Sequence, residues 1–119
     1  MYTITKEFTF DAAHQLYGLP EGHKCGRLHG HTYTVIVELQ SAELDEHGFV
    51  KDYGELSLIK DFIDGNLDHR NLNDVLGIKN TTAENIARFI YHEFMWDFPE
   101  ISAITVKETS KTAARYEPS

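Results

Sequence analysis

The stretch His29-Gly30-His31-Thr32-Tyr33-Thr34-Val35-Ile36-Val37-Glu38-Leu39 decides the fold. Tyr33, Val35, Val37 and Leu39 fall on one parity, the period of a strand with one face in a core. His29 and His31 lead into it two residues apart. Side chains so spaced on a strand point to the same face, and two imidazoles can converge on one ion. Gly30 between them removes a side chain from the opposite face and lets the backbone bend.

Upstream, Tyr2, Ile4, Phe8 and Phe10 share a parity and predict a first strand over residues 2–10. Downstream, Asp45-Glu46-His47-Gly48 is turn chemistry before a short strand at Phe49-Val50. Leu56, Ile59, Phe62 and Ile63 have helical spacing, and Gly65-Asn66 is the expected stop. Leu67 to Lys79 reads as a polar loop. Thr81 as N-cap with Glu84 three residues on fits a capping box, opening a helix whose stripe is Ala83, Ile86, Ala87, Ile90 and Phe94. Strands are expected at Ile101–Glu108 and near Ala113–Tyr116. The order ββααββ predicts an α+β domain over residues 1–119, its mainly antiparallel sheet covered by two helices on one face. The other face then calls for a partner, and self-association is the expectation.

Composition narrows the function. The 119 residues suffice for one domain and one core. No apolar run approaches the roughly 20 residues of a membrane span, and the alternating, charged N-terminus is unlike a signal peptide. A net charge of -8 with no basic block argues against nucleic acid as partner. An anionic substrate would therefore need a locally positive pocket. The single cysteine excludes an intrachain disulfide and fits a reducing cytoplasm.

His14 lies just beyond the first strand, within reach of His29 and His31 if the two strands pair. Three neutral imidazoles leave a fourth tetrahedral position open, the arrangement of a catalytic zinc. The competing reading is of three histidines with hydrogen-bonding roles alone. His23, His47 and His92 are unassigned; His47 reads as a turn residue and His92 as solvated on its helix. Cys25 stands four residues before His29 among Gly, Lys and Arg, a setting that favours thiolate and a general base. It could instead be a fourth metal ligand or an inert small residue. Asp68-His69 could orient and hold a proton, or stabilise a loop. Glu108 shares the parity of Ile104 and Val106, so its carboxylate ends an apolar face. There it could pair with a guanidine-like edge, or fray into water.

These residues resemble the 6-pyruvoyltetrahydropterin synthase superfamily, and within it the 6-carboxy-5,6,7,8-tetrahydropterin synthase branch. The resemblance spans essentially the whole chain. It rests on Phe8 to His14 (FTFDAAH), Pro20 to His31 (PEGHKCGRLHGH), Leu67-Asp68-His69 with Leu72-Asn73-Asp74, Thr81 to Asn85 (TTAEN), and Val106 to Thr109 (VKET). The three-residue spacer between Cys25 and His29 carries the branch, since the pyruvoyl branch usually has a longer one. Ser110 departs from the cysteine often found after the Glu-Thr pair.

The resemblance implies zinc on His14, His29 and His31, Cys25 as the proton-transferring thiol, and Asp68 and His69 completing the relay. Glu108 would anchor the pterin. It implies the tunnelling fold, with the sheets of several subunits joined into a barrel, commonly in hexamers with sites at subunit boundaries. The implied reaction is a zinc-dependent carbon–carbon lyase step. It converts 7,8-dihydroneopterin triphosphate to 6-carboxy-5,6,7,8-tetrahydropterin, releasing acetaldehyde and triphosphate, on the way to queuosine and other deazapurines. Lys24 and Arg27, flanking Cys25, are our candidates for the triphosphate. The alternatives are pyruvoyl-type triphosphate elimination, a zinc hydrolase needing no thiol, and a structural zinc module with Cys25 as fourth ligand.

Overall fold

The computed structural model describes residues 1–119. Two long strands, β1 (Tyr2–His14) and β2 (His29–Ser41), pair antiparallel along their whole length, from Tyr2 opposite Ser41 to His14 opposite His29. β3 (Arg70–Asn71) adds to the outer edge of β1, while β4 (Ile101–Thr109) and β5 (Thr112–Tyr116) continue beyond β2. The sheet order is β3-β1-β2-β4-β5. Helices α1 (Ser57–Phe62), α2 (Leu72–Leu76) and α3 (Ala83–Phe94) complete the chain. No helix is long and apolar enough to cross a membrane.

The register explains the core. In an antiparallel pair, residues directly opposite each other point to the same side. Phe10 opposite Tyr33 and Phe8 opposite Val35 therefore build one apolar face, and the Phe10 and Tyr33 rings stack at 5.0 Å. Ile86, Ala87 and Ile90 of α3 are fully buried with this face, together with Ile59, Ile63 and Leu72. Burying each of these isoleucine and leucine side chains stabilises the fold by about 1.5–3 kcal/mol. The other face of β1 carries Thr3, Thr5, Glu7, Thr9 and Asp11, all exposed. Being polar, it needs no apolar cover for stability. Any partner there meets a hydrophilic surface.

Four local expectations are corrected. No strand forms at Phe49-Val50, because the Asp45 side chain captures the N–H groups of His47 (2.8 Å) and Phe49 (2.9 Å) in a closed turn. Gly65-Asn66 does not stop the helix. A π-helical turn over Ile63–Leu67 follows α1, closed by the Asp68 N–H on the Ile63 carbonyl at 2.9 Å. The expected loop from Leu67 to Lys79 contains β3 and α2, the latter ending on Gly77 in the left-handed conformation (φ 65). Finally, Thr82 is the N-cap of α3, its side chain accepting from the Asn85 N–H, so the cap lies one residue later than Thr81 and Glu84 suggested. Thr81 is engaged elsewhere.

Candidate metal centre

His14 and His29 face each other across the end of the β1–β2 ladder, and His31 stands opposite Ala12 on the same side. The three rings form a triangle with centroids 4.5, 5.1 and 4.9 Å apart, each pair close to edge-on. One nitrogen from each lies within 4.8 Å of the other two, so the three histidines are positioned to hold a metal ion.

The hydrogen bonds decide which nitrogens are free. His14 Nδ1 sits 2.8 Å from the Thr81 carbonyl oxygen, which can only accept, so the proton is on Nδ1 and the lone pair on Nε2. The Thr81 hydroxyl, 3.0 Å from the same nitrogen, closes the cradle. His29 Nδ1 likewise donates to the Arg27 carbonyl at 2.7 Å. Orientation of a ligating ring through its second nitrogen is the usual support of a metal site.

His14 Nε2 and His31 Nε2 are buried without a partner, as is the Tyr33 hydroxyl next to them. Such atoms are costly unless something fills the gap, and two of them are lone-pair donors of the type zinc prefers. Burial pushes the His14 and His31 imidazoles below their ordinary value of 6.5, outweighing the upward pull of Glu108. Both are therefore neutral, the ligating form, near pH 7. Burial and Glu108 together raise the Tyr33 phenol well above its ordinary 10.0, so it stays protonated.

Glu108 belongs to this face, with Oε2 3.7 Å from His31 Nε2 and its side chain about one quarter exposed (27%). It neither frays into water nor lies fully buried. Cys25 is half-buried on a short 3₁₀ turn (Lys24–Gly26) whose N-cap is His23, its Nδ1 accepting from the Cys25 N–H at 3.1 Å. It is not among the grouped metal-binding atoms. Lys24 and Arg27 beside it are exposed.

Asp68 and His69 meet through an unusual backbone. His69 adopts φ 59, the bend that lets adjacent side chains face each other, and its Nδ1 lies 2.9 Å from Asp68 Oδ2. The pair is docked on β1, with Asp68 Oδ1 accepting from the Asp11 N–H (2.9 Å) and the His69 N–H donating to the Asp11 carbonyl (2.6 Å). Asp68 and His69 directly precede β3, which pairs on the outer side of β1, so the dyad is held at that edge of the sheet. The His69 side chain is 78% exposed there. The Asp11 N–H, followed by His69, holds the Asp68 carboxyl below its ordinary 3.8, and Asp68 holds the His69 imidazole above 6.5.

The ion pair's stabilisation is complete below the ordinary imidazole value and is lost as pH rises through the raised one; on the acid side it disappears as Asp68 protonates below 3.8. Asp68→Asn is expected to move the His69 titration down toward 6.5, read by NMR of the ring protons; no movement would remove Asp68 as its partner.

Three contributors were not legible as site residues. In the sequence Thr81 has the pattern of a helix cap, His23 carries no assignment, and Tyr33 belongs to the core stripe. Nothing in the sequence marks Thr81, since either threonine of the Thr81-Thr82 pair can cap.

Fold and cluster define a small α+β protein with a three-histidine, metal-type centre at the end of its longest hairpin. Residues 3–119 match the protein family described as 6-pyruvoyl tetrahydropterin synthase, and the chain belongs to it. It is 41% identical over 122 residues to the 6-carboxy-5,6,7,8-tetrahydropterin synthase of Synechocystis sp., covering 98% of this chain and 93% of that protein. With the protein of the same name from Haemophilus influenzae it shares 35% over 145 residues, covering 98% and 99%. The solved 6-pyruvoyl tetrahydropterin synthase of Caenorhabditis elegans superposes with a TM-score of 0.86 at 27% identity, covering 99% of this chain and 96% of that one.

Proposed function

We propose that this chain is a zinc-dependent carbon–carbon lyase that converts 7,8-dihydroneopterin triphosphate and one water to 6-carboxy-5,6,7,8-tetrahydropterin, releasing acetaldehyde and triphosphate. The observation that carries the reading is the separation of Cys25 from the three-histidine group. A thiol outside the ligand set leaves a coordination position for substrate, whereas a structural module needs the sulfur as fourth ligand. The names and full-length similarity of the two bacterial relatives favour the carboxy product over simple triphosphate elimination.

His14, His29 and His31 would hold the ion through Nε2, with Thr81 and the Arg27 carbonyl fixing two of the rings. Zinc supplies Lewis acidity toward a substrate side-chain oxygen when bound. Glu108 accepts the paired N–H groups of the pterin and orients the ring above the cluster. Cys25 would take the proton from the substrate C–H. His69, whose protonated form Asp68 favours, returns a proton at a different atom. The hydrophilic outer face of the sheet suits the water-filled interior of a barrel built from several copies, commonly a hexamer, and the edge location of Asp68-His69 suits a site completed across subunits. We place the enzyme in the cytoplasm, where Cys25 stays reduced, on the route to queuosine and related deazapurines.

Incubation with 7,8-dihydroneopterin triphosphate tests this. Acetaldehyde and the mass of the carboxylated product are expected in equal amounts; a pyruvoyl product without acetaldehyde would overturn the assignment. Lys24 and Arg27 supply local positive charge for the triphosphate in an acidic protein. Arg27→Ala should raise KM for the triphosphate far more than for a dephosphorylated analogue, and equal effects on both would remove that role.

A further inference from the structure

Beyond His14 the chain leaves the β1–β2 ladder, and residues Gln15–Tyr17 run on without a neighbouring strand. Their peptide groups are nevertheless satisfied alternately to two sides, as in a strand. On one side two asparagine side chains replace the missing strand. Asn73 accepts from the Gln15 N–H (2.8 Å) through Oδ1 and donates to the Gln15 carbonyl (2.8 Å) through Nδ2. Asn80 does the same for Tyr17, at 2.8 and 3.3 Å. A carboxamide offers a donor and an acceptor side by side, which is what an extended residue's N–H and C=O require. On the other side the Leu16 N–H donates to the Cys25 carbonyl (2.9 Å), and Gln15 Nε2 donates to the Gly26 carbonyl (2.9 Å).

The two asparagines are themselves fixed. Asn73 Nδ2 also reaches the Lys79 carbonyl at 3.1 Å, and the Asn80 carbonyl accepts from Asn85 Nδ2 at 2.9 Å. Thr81, the residue after Asn80, holds the His14 ring. The Asn80-Thr81 dipeptide thus grips a metal-type ligand with one residue and, with the other, the segment on which the Cys25 turn hangs. The remaining backbone hydrogen bonds of that turn are local, His23 to Pro20, Gly26 to His23 and Arg27 to Lys24. Its other anchor is the Arg27 carbonyl on the His29 ring.

We propose that Asn73 and Asn80 are positioning residues, a side-chain substitute for a strand that sets where the Cys25 thiol stands relative to the three-histidine centre. The inference rests on the catalytic reading of Cys25 given above. A displacement of about 1 Å between reacting groups can cost about 100-fold in rate, and a loop of this kind has few other restraints.

Asn80→Asp and Asn73→Asp test it, since each keeps the side chain's shape but sets a carboxylate oxygen against the carbonyl that had received a donor. Gln15→Met is a milder variant that loses only the bond to Gly26. Three quantities are read: bound metal by elemental analysis, the rate of Cys25 alkylation by iodoacetamide, and kcat and KM for acetaldehyde release. The expected result is unchanged metal content and KM, several-fold faster alkylation, and kcat lower by up to about 100-fold. Unaltered alkylation and kcat in the folded variants would overturn the proposal, as would metal loss in step with activity. If the aspartate variants fail to fold, Gln15→Met decides alone by the same readings. If the parent protein releases no acetaldehyde, the functional reading falls, while alkylation still judges the clamp.

Discussion

His31→Ala is expected to strip the protein of its metal and to lower turnover by more than about 100-fold, beyond the 10–100-fold typical of losing a supporting partner. The reason is the geometry of the cluster. Three nitrogens within 4.8 Å of one another make a site, and two of them cannot hold zinc against water in the same way. His31 is the informative position because its side chain is still 18% exposed. His14 is fully buried against Thr81, so its removal would leave a cavity and an unpaired carbonyl, mixing unfolding with metal loss. Elemental analysis of freshly isolated variant, with circular dichroism to verify folding, is the measurement. Full metal content and normal turnover in His31→Ala would end the three-histidine reading.

Cys25→Ala is expected to behave differently. Turnover should drop by about 10²–10⁴-fold, the contribution of a positioned general base, while bound metal remains at the parent level. The separation of these two effects follows from Cys25 lying outside the ligand group. Metal analysis and the acetaldehyde assay on the same preparation distinguish the readings. Loss of metal would make Cys25 a ligand and the centre structural. Retention of acetaldehyde release would remove Cys25 as the general base. Loading the centre with cobalt gives an independent spectroscopic reading, because a thiolate ligand adds an intense charge-transfer band that three imidazoles lack.

The two predictions read one hairpin in two ways. Histidines on β1 and β2 are placed by strand parity, whereas the thiol is placed by the Gln15–Leu28 connection between the strands. Parity is rigid, because slipping the register by one residue would turn Phe10, Tyr33 and Val35 out of the core along with the histidines. The connection has no such guarantee and depends on hydrogen bonds from elsewhere in the chain.

That contrast marks how far the sequence could be read. Alternation in Tyr2 to Phe10 and His29 to Leu39 marked the two strands, and a 3.6-residue stripe from Ala83 to Phe94 marked the covering helix; the first strand runs on past Phe10 to His14, and that extension, paired with β2, puts the three imidazoles on one side. Both are local periodicities, and the hydrophobic effect converts them directly into faces. Glu108 followed from the same parity rule on β4, although only the packed sheet set its partial exposure and its approach to His31. What local pattern could not supply was any contact made across the fold. Asp68 binds Asp11 over 57 residues and His14 binds Thr81 over 67, and the π-helical turn that delivers Asp68 has no sequence period of its own. Asn73 in the short helix α2 and Asn80 and Thr81 before α3 are small polar residues with no periodic signal of their own. Their roles arise because burying the end of β1 leaves ring nitrogens and peptide groups that must find partners, and the nearest ones come from a distant part of the chain.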